Sequence, residues 1–274
     1  MMTIITSFIN GIYEYGIVFT IKIIIMTTIV TALFDINRQQ YGDGRSFEKY
    51  LEWLPETLSL SSNYVIYTED KVVPYIPKKD NIKVIVSPLE EVPLYHKHDQ
   101  IESILKNPEY LNKIKDPHRV ECVLPLYNII QYSKFEWLKR TITENPFNSQ
   151  YFFWMDSGCS RFFNGLSSTF PNLNKLPLKF LIQGNVNTDR TPIDENYKWM
   201  SDCVLVGTFF GGPTKYVVEV SDLILKFLQE EMLDQNMINN EQIALAYICK
   251  RNLSLFNVYI HLNGQHLPLL KILV

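Results

Sequence analysis

An aromatic run that ends abruptly in a carboxylate and a glycine constrains this chain more than any other feature. Tyr151 to Met155 has the length and composition of a buried strand, and Asp156, Ser157 and Gly158 then turn the chain out at the strand's carboxyl end. Open α/β sheets bind ligands at that edge, where a carboxylate can hold a divalent cation or a ribose hydroxyl. Gly158 would let a ligand approach the backbone closely. The simpler alternative is an aspartate that only caps a turn.

The composition is that of an ordinary globular protein and disfavours nucleic acid as a partner. The chain has 274 residues, 46% hydrophobic and 20% charged, which is enough for one sizeable core. Its formal net charge is -3 and it has no long basic run, whereas a nucleic-acid surface needs clustered lysine and arginine. The four cysteines lie far apart without a Cys-x-x-Cys pair, which favours reduced thiols in a cytoplasmic protein.

The amino-terminal stretch supports two competing interpretations. Residues 17–34 are apolar except for Lys22 and a few threonines, and this stretch is just long enough to suggest a membrane span or signal anchor. The end of this stretch, from Thr27 to Phe34, is also rich in β-branched residues and stops at Asp35, which is typical of the first strand of an α/β domain. If that strand forms, the apolar remainder is too short for a span.

Residues 1–25 are therefore predicted to be a leader outside the folded domain. A start at Met26 would leave a complete domain over residues 26–274, so the leader is either a misassigned start or a membrane-associating segment. The expected localisation is cytoplasmic, with any membrane association made through this leader alone.

Alternating strand and helix patterns predict a single α/β domain with a Rossmann-like mixed sheet flanked by helices. A helix is expected over residues 47–58, bent or ended by Pro55, and a longer one over Thr214 to Leu233. The sequence has no Gly-x-Gly-x-x-Gly after the first strand and no Gly-Lys-Ser/Thr, which disfavours the common phosphate loops. The predicted strands cover residues 27–34, 63–68, 82–87, 151–155, 178–183, 202–213 and 254–260.

Three segments of the first half carry candidate ligand-binding side chains. Asp35 and Arg38 stand in a polar loop after the first strand, where a basic residue could meet phosphate. Lys134 falls on an amphipathic helix and could also bind phosphate, although a surface lysine is the simpler interpretation. His96 and His98 form a His-x-His pair, which we interpret as a solvated helix start rather than a metal site.

The second half adds two glycines, a glutamate and a histidine. Gly211 and Gly212 follow a strand pattern and could let a sugar-sized ligand lie on the backbone, the alternative being a plain turn before a helix. Glu241 falls in the first turn of a helix that begins near Asn239, where it either complements the helix dipole or faces a substrate. The last predicted strand leads into His261.

Taken in order, these segments resemble the HtrL/YibB-like family within the GT-A glycosyltransferases, over nearly all of residues 27–268. The most specific segments are Phe-Trp-Met-Asp-Ser-Gly, which contains Asp156, and Thr-Ala-Leu-Phe-Asp-Ile, which contains Asp35. The ending His-Leu-Asn-Gly, which begins at His261, is similar to the His-x-x-Gly-x-x-Lys-Pro ending of glycogenin-like transferases, where the histidine binds the metal.

The resemblance implies a GT-A-like fold and a nucleotide-sugar donor, such as a UDP-sugar, whose sugar passes to a hydroxyl of a glycan or protein glycan. Asp156 stands where the first residue of the Asp-x-Asp metal motif would stand, and with His261 it would hold Mn or Mg. The third position of that motif is Gly158, so one expected metal ligand is missing. Leu267 occupies the place of the phosphate-binding lysine of glycogenin-like enzymes.

The resemblance also implies roles for the remaining candidates. Without a metal, Lys134 and Arg38 could neutralise the leaving diphosphate. Glu241 and Asp156 would be catalytic; inversion is expected if Glu241 is a general base, and retention is open if it only orients the donor. The expected donor-binding residues are Thr31, Phe34, Asp35, Arg38, Lys134, Ser157, Gly158, Gly211, Gly212, Gln242, Gly264 and His266. A non-catalytic sugar- or nucleotide-binding module with the same fold is the alternative, because the second metal carboxylate is missing.

Overall fold

The aromatic run forms β4, the middle strand of a seven-stranded sheet. The computed structural model describes residues 26–41, 44–163, 178–261 and 269. The strands in chain order are β1 (Thr27–Leu33), β2 (Asn63–Thr68), β3 (Ile82–Val86), β4 (Tyr151–Met155), β5 (Phe180–Asn185), β6 (Leu205–Pro213) and β7 (Phe256–His261). Predicted strands at 63–68 and 151–155 are confirmed, and the others shift by a few residues at their ends.

The strand order positions the functional edge of the sheet. Across the sheet the order is β3-β2-β1-β4-β6-β5-β7, and among these strands only β6 runs antiparallel to its neighbours. The carboxyl ends of β1, β4, β5 and β7 and the amino end of β6 therefore meet at one edge. The protein is thus a single mixed α/β domain of the general kind that binds ligands at that edge.

Alternate residues of the central strands enter two separate cores, as the two-residue period of a strand requires. Val30 and Trp154 belong to the larger core, which contains residues of α5, α6 and α7. Ile29 and Phe153 belong to the smaller core, which α1 covers. The helices are α1 (Phe47–Thr57), α2 (His98–Leu105), α3 (Pro108–Lys113), α4 (Val120–Val123), α5 (Pro125–Glu144), α6 (Thr214–Phe227) and α7 (Glu241–Arg251).

Local sequence explains where the site-bearing helices begin and end. α5 begins at Pro125, whose missing N–H is not needed in a first turn, and ends at Glu144, where Asn145 follows in the left-handed conformation. The side chain of Asn240 caps α7 by accepting a hydrogen bond from the backbone of Gln242. Of the two alternatives for Pro55, ending the helix is wrong, since α1 continues through Pro55 to Thr57.

The predicted glycine turn at Gly211 and Gly212 is wrong. Both residues lie inside β6, at φ values of 151° and 154° that other residues rarely adopt. A Cβ on Gly211 would come within 2.2 Å of the Phe152 carbonyl oxygen, and one on Gly212 within 2.6 Å of the Lys179 carbonyl oxygen. Neighbouring backbone therefore fills the space that we had expected a sugar to use.

The helix predicted from Thr214 to Leu233 changes type along its length. It is α-helical to Phe227, passes through a π-helical turn at Leu228–Met232 and ends in the 3-10 turn Leu233–Gln235. The predictions for the leader, Gly264 and His266 lie outside the described residues. No helix in the part of the chain that the structure describes has the length and apolarity needed to cross a membrane.

Candidate functional site

A cleft of about 730 Å³ opens where the strand ends meet. Its volume falls in the range of about 300–1,000 Å³ that is usual for small-molecule sites. The lining combines the ends of β1, β4, β5, β6 and β7 with parts of α1, α5 and α7. The predicted site residues that it brings together are Phe34, Asp35, Arg38, Lys134, Asp156, Ser157, Glu241, Gln242 and His261.

Asp156 extends from the central strand into this cleft. Its backbone N–H donates a hydrogen bond of 2.9 Å to the carbonyl oxygen of Thr208, which fixes the residue beside the start of β6. The side chain is 30% exposed, and its Oδ1 lies 3.1 Å from the Lys134 Nζ. The same oxygen accepts a bond of 2.8 Å from the Trp154 indole. The carboxylate is therefore held in place by donors and still accessible to a ligand.

Lys134 is buried, so the surface-lysine interpretation is wrong. Its side chain is 1% exposed, and its Nζ donates to Glu241 Oε1 at 2.8 Å and to the Gly207 carbonyl oxygen at 3.2 Å. Burial alone would lower the pKa of Lys134, but the carboxylates of Asp156 and Glu241 outweigh it and raise the pKa. The charged ammonium group therefore joins the two predicted catalytic carboxylates.

Glu241 is the first residue of α7, and Asn240 rather than Glu241 caps the helix. The Glu241 side chain is 1% exposed. Its Oε1 binds Lys134, whereas its Oε2 is buried and has no hydrogen-bond partner among the described residues. Burial raises the pKa of Glu241, although Lys134 opposes the shift. A buried carboxylate oxygen without a donor is costly, so a ligand hydroxyl would be a favourable partner for it.

Two residues that complete this side of the cleft were missed by sequence reasoning. Gly207 lies in β6, where a Cβ would come within 2.3 Å of Glu241 Oε1, so glycine leaves room for the Glu241–Lys134 pair. A glycine inside a strand pattern can mark such a close approach, and this was the available signal. Trp154 was expected in the core, but nothing in the sequence indicated that its N–H would orient Asp156.

The α1 wall of the cleft, which we define as Arg45, Tyr50 and Arg161 together with Trp53 packed against the last two, carries positive charge. The Arg161 guanidinium carbon lies 5.2 Å from the centre of the Trp53 ring, and Arg161 Nη1 donates to the Gly158 carbonyl oxygen at 2.8 Å. Arg45 and Arg161 both line the cleft. Neither arginine was predicted as a site residue, because no local pattern sets them apart.

Gly158 serves this wall rather than the ligand. A Cβ at that position would come within 2.7 Å of Arg161 Nη1 and 2.9 Å of the Trp53 ring. The residue does not line the cleft, so the expected backbone approach of a ligand is not what the glycine provides. Thr31 is likewise away from the cleft, because β1 buries it completely.

Arg38 and the aromatic residues around it connect the α1 wall with α5. The guanidinium donates to the hydroxyl of Tyr50 and lies 5.1 Å from the centre of the Tyr127 ring. Phe34 stacks on Trp137, with ring centres 5.7 Å apart, and still lines the cleft. The lining between the α1 wall and α5 is therefore aromatic as well as cationic, which suits a ligand with both phosphate and ring groups.

The described residues do not by themselves fit a metal ion. No three His, Cys, Asp or Glu side chains among residues 26–41, 44–163, 178–261 and 269 lie close enough together to hold one. Asp156 and His261 line the same cleft, but the Asp156 carboxylate already contacts the Lys134 ammonium, which would repel a cation. Binding of Mn or Mg by Asp156 and His261 therefore stays a prediction.

Comparison with known proteins gives a family but no activity. No curated protein matches the chain. The family model described as "Bacterial protein of unknown function (HtrL_YibB)" matches residues 25–273. That range includes every described residue and agrees with the family named by the sequence resemblance. The chain belongs to the HtrL_YibB family.

Proposed function

We propose that the protein is a glycosyltransferase of the GT-A type, which transfers a sugar from a nucleoside-diphosphate sugar to a hydroxyl of a glycan or protein glycan. The observation that carries the proposal is the linked set of Asp156, Lys134 and Glu241 in the cleft at the sheet's ligand edge. Had Asp156 been sealed in the core or turned away from His261 and the cleft, the proposal would have failed. It is partly exposed and shares the cleft with His261.

The proposed reaction uses Glu241 as the general base. The acceptor hydroxyl oxygen bonds to the anomeric carbon, the bond from that carbon to the diphosphate oxygen breaks, and its electron pair leaves with the diphosphate. Glu241 Oε2 takes up the proton of the acceptor hydroxyl, a role that the raised pKa of its carboxyl group favours. A direct displacement of this kind inverts the anomeric centre. Asp156 stabilises the positive charge that develops on the sugar ring.

Lys134 has a different role from the one expected for it. Because its ammonium group already contacts the carboxylates of Asp156 and Glu241, Lys134 is poorly placed to neutralise a diphosphate as well. We assign it to the positioning of Asp156 and Glu241, with Trp154 as a second support. The pairing holds both carboxylates in one geometry, which is the arrangement a transferase needs before its substrates bind.

The same ion pairs also favour the second candidate function, a non-catalytic nucleotide-sugar-binding module. In such a module the lysine would simply compensate two carboxylates that no longer take part in chemistry. Both functions predict donor binding, so only turnover separates them.

The test is turnover of UDP- and GDP-sugars, with and without added manganese, measured as the release of the nucleoside diphosphate. We expect Asp156→Asn and Glu241→Gln each to lower turnover by about 100-fold or more, the usual size of a general-base or electrostatic contribution. Asp222→Asn is the matched control, because Asp222 pairs with Lys139 at 2.8 Å on the protein surface. Donor binding without turnover would favour the module, and turnover that survives both cleft variants would refute the proposed site.

A further inference from the structure

Arg161 differs from the paired lysines and carboxylates at the cleft. The cleft carboxylates contact lysines: Asp156 and Glu241 contact Lys134, and Asp35 lies 3.0 Å from Lys71. Arg161, in contrast, donates its one described hydrogen bond to the uncharged carbonyl oxygen of Gly158. Within the described part of the chain, it forms no ion pair with a carboxylate. Its charge is therefore available to a ligand that enters the cleft.

Uncharged groups hold the Arg161 guanidinium in place. Its carbon atom lies 4.4 Å from the centre of the Phe162 ring and 5.2 Å from that of Trp53. The absent Cβ of Gly158 leaves the space that Nη1 occupies. A guanidinium fixed in this way keeps most of its N–H donors for a ligand, in the planar fork that matches two oxygens of a phosphate group.

Two further arginines concentrate positive charge near Arg161. Burial lowers the pKa of Arg161, and the neighbouring Arg45 lowers it further, as expected when like charges lie close together, while the Asp156 carboxylate opposes the shift. Arg38 is linked to the same wall through the Tyr50 hydroxyl, and Tyr50 packs edge-on against Trp53 with ring centres 5.5 Å apart. A bound anion would relieve the repulsion between the Arg161 and Arg45 guanidinium groups.

We propose that Arg161, with Arg45 and Arg38 beside it, forms the subsite that binds the diphosphate of the donor. This inference rests on the proposed function and gives the donor a direction: its diphosphate lies on the α1 wall, and its sugar points toward Glu241 and Gln242. When the bond to the anomeric carbon breaks, the electron pair collects on the diphosphate, where the guanidinium groups stabilise it.

The subsite can be tested by calorimetric titration of the full chain with inorganic pyrophosphate and with UDP. We expect Arg161→Gln to weaken both by about 10- to 100-fold, the usual effect of losing charge-assisted hydrogen bonds. Arg161→Lys should recover only part of the affinity, because an ammonium lacks the planar fork. Arg140→Gln is the matched control, since Arg140 also lies over an aromatic ring, that of Tyr67, but outside the cleft lining.

Arg45→Gln provides a second variant in case Arg161→Gln does not fold, which circular dichroism and melting will show. The assignment is overturned if the wild-type protein binds neither pyrophosphate nor UDP, or if both glutamine variants bind them as tightly as the wild type. Sulfate that binds as tightly as pyrophosphate would indicate a general anion site and would also overturn it.

The subsite and the proposed activity can fail separately. Pyrophosphate binding that depends on Arg161, together with the absence of turnover of any nucleotide sugar, would support the subsite and refute the transferase. Turnover that depends on Asp156 but is unchanged in kcat/KM by Arg161→Gln would support the transferase and refute the subsite.

Discussion

The two walls of the cleft use charge in opposite ways. On the side of α5 and α7, Lys134 and Glu241 are each 1% exposed and form an ion pair of 2.8 Å. On the α1 wall, Arg161 is half-buried among aromatic rings and a carbonyl oxygen. A buried ion pair that loses one partner leaves an uncompensated charge in the interior, whereas a half-buried cation can turn to solvent. The first wall should therefore govern stability, and the second should govern ligand affinity.

The largest expected effect is on the buried wall. Lys134→Met should lower the free energy of unfolding by about 3–5 kcal/mol, because Glu241 loses its counterion and Asp156 loses a donor. Urea denaturation followed by circular dichroism measures the change. Lys139→Met is the matched control on the same helix, because its partly exposed pair with Asp222 should contribute about 0–1 kcal/mol.

A double variant tests whether the uncompensated charge is the cause. Lys134→Met combined with Glu241→Gln removes both members of the closest pair, so it should be more stable than Lys134→Met alone. If Lys134→Met costs no more than Lys139→Met, the contrast between the two walls is wrong.

Trp154→Phe should have the next largest effect, about 1–3 kcal/mol in unfolding free energy. The smaller ring leaves a void beside Trp137 and removes the N–H that donates to Asp156 Oδ1. Trp137→Phe is the control, because Trp137 belongs to the same stack and its indole nitrogen has no described hydrogen bond. Both variants should lose stability, but only Trp154→Phe should also lower donor turnover. Equal turnover in the two would show that the bond to Asp156 does not matter for function.

Features that depend on a few consecutive residues were predicted well. β4 was recognisable because five consecutive apolar and aromatic residues precede a polar turn. The carboxyl end of such a strand lies at the edge where open α/β sheets bind ligands. That reasoning placed Asp156 at the ligand edge. Glu241 was also located correctly in the first turn of its helix, because Asn240 is a strong amino-terminal cap.

Features that depend on distant contacts could not be predicted. Lys134 and Glu241 are 107 residues apart, and nothing around either one indicates that they meet in the interior. Gly211 and Gly212 look like a turn locally, and only their neighbours across the sheet, Phe152 and Lys179, explain why they lie in a strand. Contacts between remote segments therefore determine the buried ion pair of Lys134 and Glu241, and they explain why the predicted turn at Gly211 and Gly212 was wrong.

The pH dependence of the unfolding free energy gives a further test of the buried wall, because Glu241 titrates there. Burial raises its pKa above the ordinary value of 4.5, so its contribution to stability is fully present below pH 4.5 and is lost as the pH rises through the folded pKa. Glu241→Gln removes this titration. The difference in unfolding free energy between wild type and variant should therefore fall with rising pH, by at most about 1.4 kcal/mol per pH unit.

Glu144→Gln is a control of opposite sign for this measurement. The hydrogen bond from Arg140 lowers the pKa of Glu144, so its contribution to stability is present at higher pH and is lost as the pH falls. If Glu241→Gln leaves the pH profile unchanged, or shifts it in the direction of Glu144→Gln, the raised pKa of Glu241 is wrong.

The smallest expected change in stability is on the α1 wall, and it is the sharpest test of the comparison. Arg161→Gln should lower the unfolding free energy by less than about 1 kcal/mol, because cation–π contacts at partly exposed sites are worth about 0.5–1 kcal/mol and the new amide can still donate to the Gly158 carbonyl oxygen. Urea denaturation beside Lys134→Met gives the comparison directly. A loss as large as that of Lys134→Met would mean that Arg161 supports the fold, and weaker pyrophosphate binding by the variant could then reflect unfolding. A small loss leaves the charge of Arg161 without a structural purpose in the folded chain, which is the condition that a ligand-binding arginine must meet.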